Sequence, residues 1–314
     1  MRCGERGRLG AVTESFSCPI VATVTPYQRG GHLDLSALSD YLDLIGAAGV
    51  ETVLVNGTTG EFASLTVRER IQVAEHCRSR WSGVLVVHVG ACAVGDAVEL
   101  ARHASDFADA LAVMNPFFFA EAAETGIGAY FRAVLPHCLR PTLLYNFPRH
   151  TQAPIPPRLA AQLAGEFPQL TGIKDSGKDR SLTYEYQQIG PDFRVYLGDD
   201  RIGARIAEIG AAGVVTGAGG PVAELPVAVA AAVAAGDIER AQARQHEFDR
   251  YTDARKRLPI SDVAFAKAAV STRLPGFPTL VRPPLTSASP EHAREIHTVM
   301  RSILPLLHRD NPAY

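Results

Sequence analysis

Residues 51–80 read ETVLVNGTTGEFASLTVRERIQVAEHCRSR and contain one complete strand–loop–helix unit. Glu51–Asn56 has apolar and β-branched residues without polar alternation, which is typical of a strand buried on both faces. Thr66 and Glu69 then match the capping-box pattern that opens a helix. The stretch therefore predicts a strand, a polar loop and a helix, in that order.

Seven further apolar runs alternate with helical patterns on either side of this unit. They are Pro19–Thr25, Val84–Val89, Ala110–Met114, Thr142–Tyr145, Leu170–Lys174, Arg194–Leu197 and Gly213–Thr216. Regular alternation of strand and helix predicts βαβ units and a parallel sheet. Eight such units fit a closed barrel better than an open sheet. No Gly-x-Gly-x-x-Gly follows the first strand, which weakens the dinucleotide-binding alternative.

We therefore predict an α/β protein: a (β/α)8 TIM barrel followed by a small C-terminal helical segment. The barrel is assigned to residues 16–225, after an N-terminal tail at residues 1–15. From residue 237 onward the strand patterns stop, so residues 226–314 are assigned to a C-terminal helical domain. Three helices are expected there, at residues 237–255, 262–272 and 290–308.

Composition narrows the classes of function. The net charge of −2 offers no basic surface for nucleic acid, and no apolar run is long enough for a membrane span. The five cysteines are odd in number and form no Cys-x-x-Cys, so neither a disulfide framework nor a zinc site is indicated. Reduced thiols and a first segment without a signal-peptide core predict a cytoplasmic protein. The histidines lack metal-ligand spacing, and we expect no metal and no cofactor.

Three features follow predicted strands at the end of a barrel where active sites form. The first is the loop at residues 57–61, where Gly57 permits a sharp turn and Thr58 and Thr59 add hydroxyl donors. This loop suits a carboxylate or a phosphate, although a plain polar turn would look similar. Glu61 fits a loop anchor or a helix-start charge better than a catalyst.

The second feature is Lys174, which closes the sixth strand and should point into the barrel mouth. Burial disfavours an ammonium relative to a neutral amine, and a neutral amine is a nucleophile. The alternatives are a surface lysine or an ion pair with Asp175. The third feature is Tyr145, at the end of the fifth strand, whose phenol could shuttle protons. A core tyrosine with a satisfied hydroxyl is the alternative.

Together these features predict imine chemistry. An amine, a carboxylate pocket and a proton shuttle are expected at the same end of the barrel, and imine formation with a 2-oxo acid requires all three. A protonated imine withdraws electrons and stabilises an enamine at C3, so that carbon–carbon bonds at that position can form or break.

The motifs GTTGE at residues 57–61, YNFP at residues 145–148 and GIKDS at residues 172–176 occur in one order along the chain. In these motifs, and over nearly its whole length, the chain resembles the dihydrodipicolinate synthase / N-acetylneuraminate lyase family of class I, Schiff-base-forming aldolases. The resemblance implies that Lys174 forms the Schiff base and that Tyr145 relays protons. It also implies a homotetramer built from dimers, or at least a homodimer.

Further roles follow only from this resemblance. Thr59 would bind the substrate carboxylate, and Thr58 would link to Tyr145. The backbone at Gly198 and Val215 would line the pocket.

Two positions depart from the synthase pattern. Phe118 stands where the synthase has a tyrosine that completes a proton relay in a neighbouring subunit. His150 stands where the synthase has an arginine that supports the second substrate. Both residues remain candidate substrate contacts, and both favour a different 2-oxo acid, such as a 2-keto-3-deoxy sugar acid.

We therefore expect a lyase that cleaves or condenses a 2-oxo acid, with pyruvate and an aldehyde as partners. Three alternatives stay open. They are dihydrodipicolinate synthase itself, a Schiff-base dehydratase of 2-keto-3-deoxy acids, and a non-catalytic 2-oxo-acid binding protein.

Overall fold

The computed structural model describes residues 16–119 and 121–307. Within this part, eight parallel strands close into one barrel in sequence order, with β8 paired to β1. The strands are β1 (Ile20–Ala22), β2 (Thr52–Val55), β3 (Val84–His88), β4 (Ala110–Met114), β5 (Thr142–Asn146), β6 (Leu170–Asp175), β7 (Arg194–Leu197) and β8 (Gly213–Thr216). The expected TIM barrel is confirmed. The predicted tail at residues 1–15 lies outside the described residues.

Helices follow the strands around the barrel. Those up to the eighth strand are α1 (Leu35–Ala47), α2 (Val67–Arg80), α3 (Val94–Ser105), α4 (Glu124–Val134), α5 (Pro148–Thr151), α6 (Pro157–Glu166), α7 (Arg180–Gln187) and α8 (Ile206–Ile209). The remaining ones are α9 (Glu224–Ala234), α10 (Ile238–Arg257), α11 (Asp262–Ser271) and α12 (Pro290–Leu307). The domain boundary drawn after residue 225 falls inside α9, and residues 308–314 lie outside the described part.

Helix starts follow the capping residues in the sequence. Asp34 precedes α1 and accepts a hydrogen bond from the Ala37 N–H at 3.0 Å. Thr66 and Glu69 form the expected capping box of α2, each side chain accepting from the other residue's N–H. These bonds satisfy N–H groups that have no partner inside the helix.

Alternate strand residues fill the barrel interior. Leu54, Val86, Leu143 and Val215 pack there in one buried cluster. Because side chains two residues apart share a face of a strand, Tyr145 and Lys174 point inward from β5 and β6, one layer above this cluster. The barrel therefore positions both residues at its carboxyl-end mouth.

The C-terminal helices form a second core. Phe248 and Tyr251 from α10, Phe265 from α11, and Ile296 and Met300 from α12 lie in one buried cluster. Within the described residues, no helix has both the length and the apolar composition needed to cross a membrane. The same residues contain no group of three or more His, Cys, Asp or Glu side chains that could hold a metal ion.

An ion pair at the start of α2 gives stability a specific pH dependence. The Arg282 guanidinium donates to Glu69 Oε2 at 2.9 Å and to Oε1 at 2.5 Å. These bonds lower the pKa of Glu69 to about 2. An unfolded-state glutamate has a pKa of about 4.3, so the carboxylate stabilises the fold above that pH and loses its contribution as pH falls towards 2.

Glu69→Gln should therefore lower the free energy of unfolding at pH 7, with a difference from wild type that shrinks between pH 5 and pH 2. Urea titrations across this range measure the difference. Glu75→Gln is the control on the same helix, because Glu75 is 58% exposed and exposed pairs contribute little. A difference that stays constant with pH would contradict the assignment.

Candidate active site

Lys174 and Tyr145 lie side by side at the barrel mouth. Strands β5 and β6 pair them directly in register. The Lys174 Nζ lies 3.7 Å from the centroid of the Tyr145 ring, and the two residues are 5% and 1% exposed. The structure thus holds an amine, largely shielded from water, over the electron-rich face of a phenol.

Lys174 is not paired with Asp175. The Asp175 carboxylate instead accepts from Asn146 Nδ2 at 2.8 Å and from the Gly177 N–H at 2.9 Å. Neighbouring residues of a strand face opposite sides, which separates the two charges. The ion-pair alternative for Lys174 is therefore wrong, and among the described residues no carboxylate forms an ion pair with this amine.

Thr58 joins this pair from the loop after β2. Its Oγ1 lies 3.0 Å from the Tyr145 hydroxyl, and either oxygen can donate. Thr58 is half-buried, so the bond lies at the edge of the mouth. A phenol with a hydroxyl neighbour can pass a proton along the bond between them.

The loop at residues 57–61 is tightly folded. Asn56, directly before the loop, and Glu61, its last residue, have φ values of 56° and 55°, a left-handed conformation that is unfavourable for residues other than glycine. A Cβ at Gly57 would lie 2.7 Å from Leu54 Cδ2, so only glycine fits there without a shift. Thr25 Oγ1 donates to the Gly60 carbonyl at 2.8 Å and ties the loop to the segment after β1.

Thr59 faces the loop that follows β8. A Cβ at Gly217 would lie 3.0 Å from Thr59 Oγ1, so the two loops approach closely where the barrel closes. We did not expect a role for Gly217 from the sequence. The sequence feature that could have identified Gly217 is the glycine-rich run at residues 217–220, directly after the last strand.

Gly198 directly follows β7, which pairs with the strand of Lys174, and Val215 lies on β8, which pairs with β1. The Gly198 N–H donates to the Asp175 carbonyl at 2.7 Å, which extends the pairing of β6 with β7 beyond the strand ends. Val215 is 2% exposed, and its side chain fills the barrel interior. Gly198 therefore lies just after the strand next to Lys174, and Val215 lies in the layer of barrel side chains below the mouth.

Phe118 and His150 each pack against a neighbouring aromatic residue. Phe118 is 79% exposed and packs edge-on against Phe119. The His150 ring packs edge-on against Phe147 at 4.3 Å between centroids, and Phe147 stacks on Tyr145 at 6.1 Å. Partial burial and the charge of Arg149 lower the pKa of His150 below its ordinary value, which favours a neutral ring.

His88, which was not singled out from the sequence, packs against Tyr145. The two rings meet edge to face at 5.6 Å. His88 Nδ1 is 2.8 Å from the Asn56 carbonyl and so donates to it, which leaves Nε2 without a proton in the neutral ring. Burial and the charge of Arg70 lower the pKa of His88 well below its ordinary value.

The chain is similar to known proteins in sequence and in fold. The sequence matches the model of the dihydrodipicolinate synthetase family over residues 15–303. It is 32% identical over 244 residues to a 2-dehydro-3-deoxy-D-gluconate/2-dehydro-3-deoxy-phosphogluconate aldolase from Thermoproteus tenax, covering 77% of this chain and 78% of that protein. It is 29% identical over 206 residues to a 4-hydroxy-tetrahydrodipicolinate synthase from Bacillus subtilis, covering 64% and 71%.

The crystal structure of KD(P)GA from T. tenax has the same fold, with a TM-score of 0.82 at 28% identity over 91% of this chain and 99% of that one. The expected enzyme class, a lyase of the class I aldolase type, is confirmed by these similarities. Because the family match spans the whole barrel and most of the C-terminal helices, the chain belongs to the dihydrodipicolinate synthetase family.

Proposed function

We propose that this protein reversibly cleaves a 2-keto-3-deoxy sugar acid into pyruvate and an aldehyde, with Lys174 as the Schiff-base residue. One observation carries the proposal. A buried amine with no carboxylate partner in the described part of the chain lies 3.7 Å from the centroid of the Tyr145 ring, and the Tyr145 hydroxyl is hydrogen-bonded to Thr58. Imine formation needs a nucleophilic amine and a proton relay together.

The reaction begins when the neutral Lys174 amine attacks C2 of the 2-oxo acid and forms a carbinolamine. Tyr145 delivers the proton with which the C2 oxygen leaves as water, and a protonated imine remains. The ring face of Tyr145 favours this cation, because a cation over an aromatic face is electrostatically stabilised. Thr58 holds the phenol oxygen in the orientation that the relay needs.

Cleavage uses the imine to accept electrons. The C3–C4 bonding pair moves towards the imine nitrogen while the C4 hydroxyl loses its proton, and C4 leaves as the aldehyde. Protonation of the resulting enamine at C3 and hydrolysis of the imine release pyruvate and the free amine. Atoms and electrons balance without any further oxidant or reductant.

The carboxylate of the substrate is assigned to the loop at residues 57–61. Thr59 offers a hydroxyl at the point where this loop meets Gly217. Backbone N–H groups and hydroxyls of such a turn suit an anion. Gly57 permits the turn, and the backbone at Gly198 and Val215 borders the same pocket.

A 2-keto-3-deoxy sugar acid is favoured over the synthase substrates by two residues. Phe118 has no hydroxyl to relay protons, and His150 is held neutral rather than charged like an arginine. The similarity to the aldolase from T. tenax points the same way. The synthase remains the second candidate because of the similarity to the B. subtilis enzyme.

Borohydride reduction in the presence of pyruvate should leave one reduced pyruvyl adduct on Lys174, because reduction converts the imine to a stable amine. Mass spectrometry of tryptic peptides locates the adduct. Lys178→Ala is the matched control, since Lys178 is an exposed lysine four residues away and should not affect labelling. Labelling elsewhere, or none, would eliminate the proposal for pyruvate.

A panel of 2-keto-3-deoxy acids then identifies the reaction. Release of pyruvate indicates an aldolase, whereas loss of water with every carbon retained indicates a dehydratase. A homodimer or homotetramer and a cytoplasmic location stay predictions.

A further inference from the structure

A buried ion pair connects the C-terminal helices to the loop at residues 57–61. Glu61 is the last residue of this loop, and Lys267 lies on α11. Their Nζ and Oε1 atoms are 2.5 Å apart, and the two side chains are 0% and 1% exposed. The pair therefore joins the mouth of the barrel to a helix outside it.

The contacts of Lys267 are directional and complete. Its Nζ also donates to the Leu280 carbonyl at 2.7 Å and lies 4.1 Å from the centroid of the Tyr27 ring. The second carboxylate oxygen of Glu61 accepts a hydrogen bond from the backbone N–H of Arg282 at 3.0 Å. Both oxygens of Glu61 are thus held by the segment that follows the barrel.

These contacts hold Glu61 in an unfavourable backbone conformation. Its φ of 55° lies in the left-handed region, where a residue with a Cβ needs support from its surroundings. The Glu61 N–H donates to the Thr58 carbonyl at 3.1 Å, and the Gly60 N–H donates to the Gly57 carbonyl at 3.0 Å. The conformation of Glu61 therefore closes the turn that carries Thr58 and Thr59.

Packing alone does not account for charged groups at this position. Desolvating two ions is costly, and an apolar pair of similar volume often stabilises a fold as well or better. The desolvation is visible at Lys267, where burial lowers the pKa to about 8 although Glu61 opposes the shift. An apolar pair would lack the directional hydrogen bonds that hold the loop.

We propose that Lys267 is a positioning residue, which acts through Glu61 to fix the loop that binds the substrate carboxylate. This inference rests on the proposed function for the identity of that ligand. The chain of contacts runs from Lys267 to Glu61, through the turn to Thr58, and from Thr58 to Tyr145. A helix outside the barrel therefore sets the geometry of the site.

The test compares Lys267→Met with the double variant Glu61→Gln/Lys267→Met. The double variant leaves no unpaired buried charge, so it stays measurable if the single variant folds poorly. In either, the pyruvate concentration that half-saturates borohydride trapping should rise roughly 10- to 100-fold, as expected for a misplaced binding group. At saturating pyruvate the trapped fraction of Lys174 should still match wild type.

Arg273→Met is the control, because Arg273, just after the same helix, pairs with Glu224 and donates to the Pro221 carbonyl, and among the described residues it bonds to none of residues 57–61. It should lower the melting temperature without changing the half-saturating concentration. If Lys267→Met and the double variant lose stability but keep the wild-type half-saturating pyruvate concentration, the proposal is overturned.

Hydrogen exchange of the unliganded protein gives a second readout that does not depend on pyruvate. Amides of the peptide at residues 57–62 should exchange faster in the Lys267 variants than in Arg273→Met. Unchanged exchange there would also overturn the positioning role. Absence of trapping in wild type with faster loop exchange in the variants would instead reject only the proposed function.

Discussion

Lys174→Ala is expected to reduce kcat/KM for cleavage of the 2-oxo acid by about 10⁴-fold or more, since loss of a covalent nucleophile removes the whole pathway. The substitution should not destabilise the folded state. Lys174 is 5% exposed and has no carboxylate partner among the described residues, so its removal breaks no ion pair. We expect an unfolding free energy equal to or above that of wild type.

Steady-state assays and urea unfolding of the same preparations measure both effects. Lys174→Arg is the informative companion, because an arginine keeps a long side chain at this position but cannot supply a neutral amine at ordinary pH. Both variants should lose activity to the same extent. Turnover within tenfold of wild type in either one would exclude the Schiff-base mechanism.

The positions of Lys174 and Tyr145 could be predicted from the sequence because a parallel barrel gives a rule for them. Each residue ends an apolar strand pattern, and strand ends on one side of the barrel meet. Strand alternation then settles which residues point inward, and it separates Lys174 from Asp175. The same rule could have identified His88, which is two residues after Val86 on the inner face of β3.

Other features could not be predicted because they depend on contacts between distant segments. Glu61 and Lys267 are 206 residues apart, and no local pattern signals that their side chains meet. The short helix α5 was also missed, since four residues are too few to give a periodic pattern. The exposure of Phe118 likewise depends on how its loop folds, not on its neighbours in sequence.

Tyr145 lies between two groups that could carry positive charge. The Lys174 amine contacts its ring face, and the His88 ring contacts it edge to face. Burial and Arg70 lower the pKa of His88, so that this ring stays neutral at physiological pH. The aromatic face is therefore left to the amine and to the imine that forms from it.

Tyr145→Phe is expected to lower kcat by about 10²- to 10⁴-fold, the usual contribution of a general acid–base group. The ring that contacts Lys174 remains, so the variant removes the hydroxyl but keeps the packing. Trapping with pyruvate and borohydride should become slower but still reach completion. Stopped-time trapping measures this rate separately from turnover.

Thr58→Val tests whether the two hydroxyls act as one relay, because they are 3.0 Å apart. Valine keeps the shape of threonine but cannot hydrogen-bond to the phenol. If Thr58 acts only through Tyr145, the double variant Thr58→Val/Tyr145→Phe should be no slower than Tyr145→Phe alone, because the effects of substituting residues that act as a unit are strongly non-additive. Fully additive losses would mean that Thr58 serves the substrate directly, and that the phenol relays protons without it.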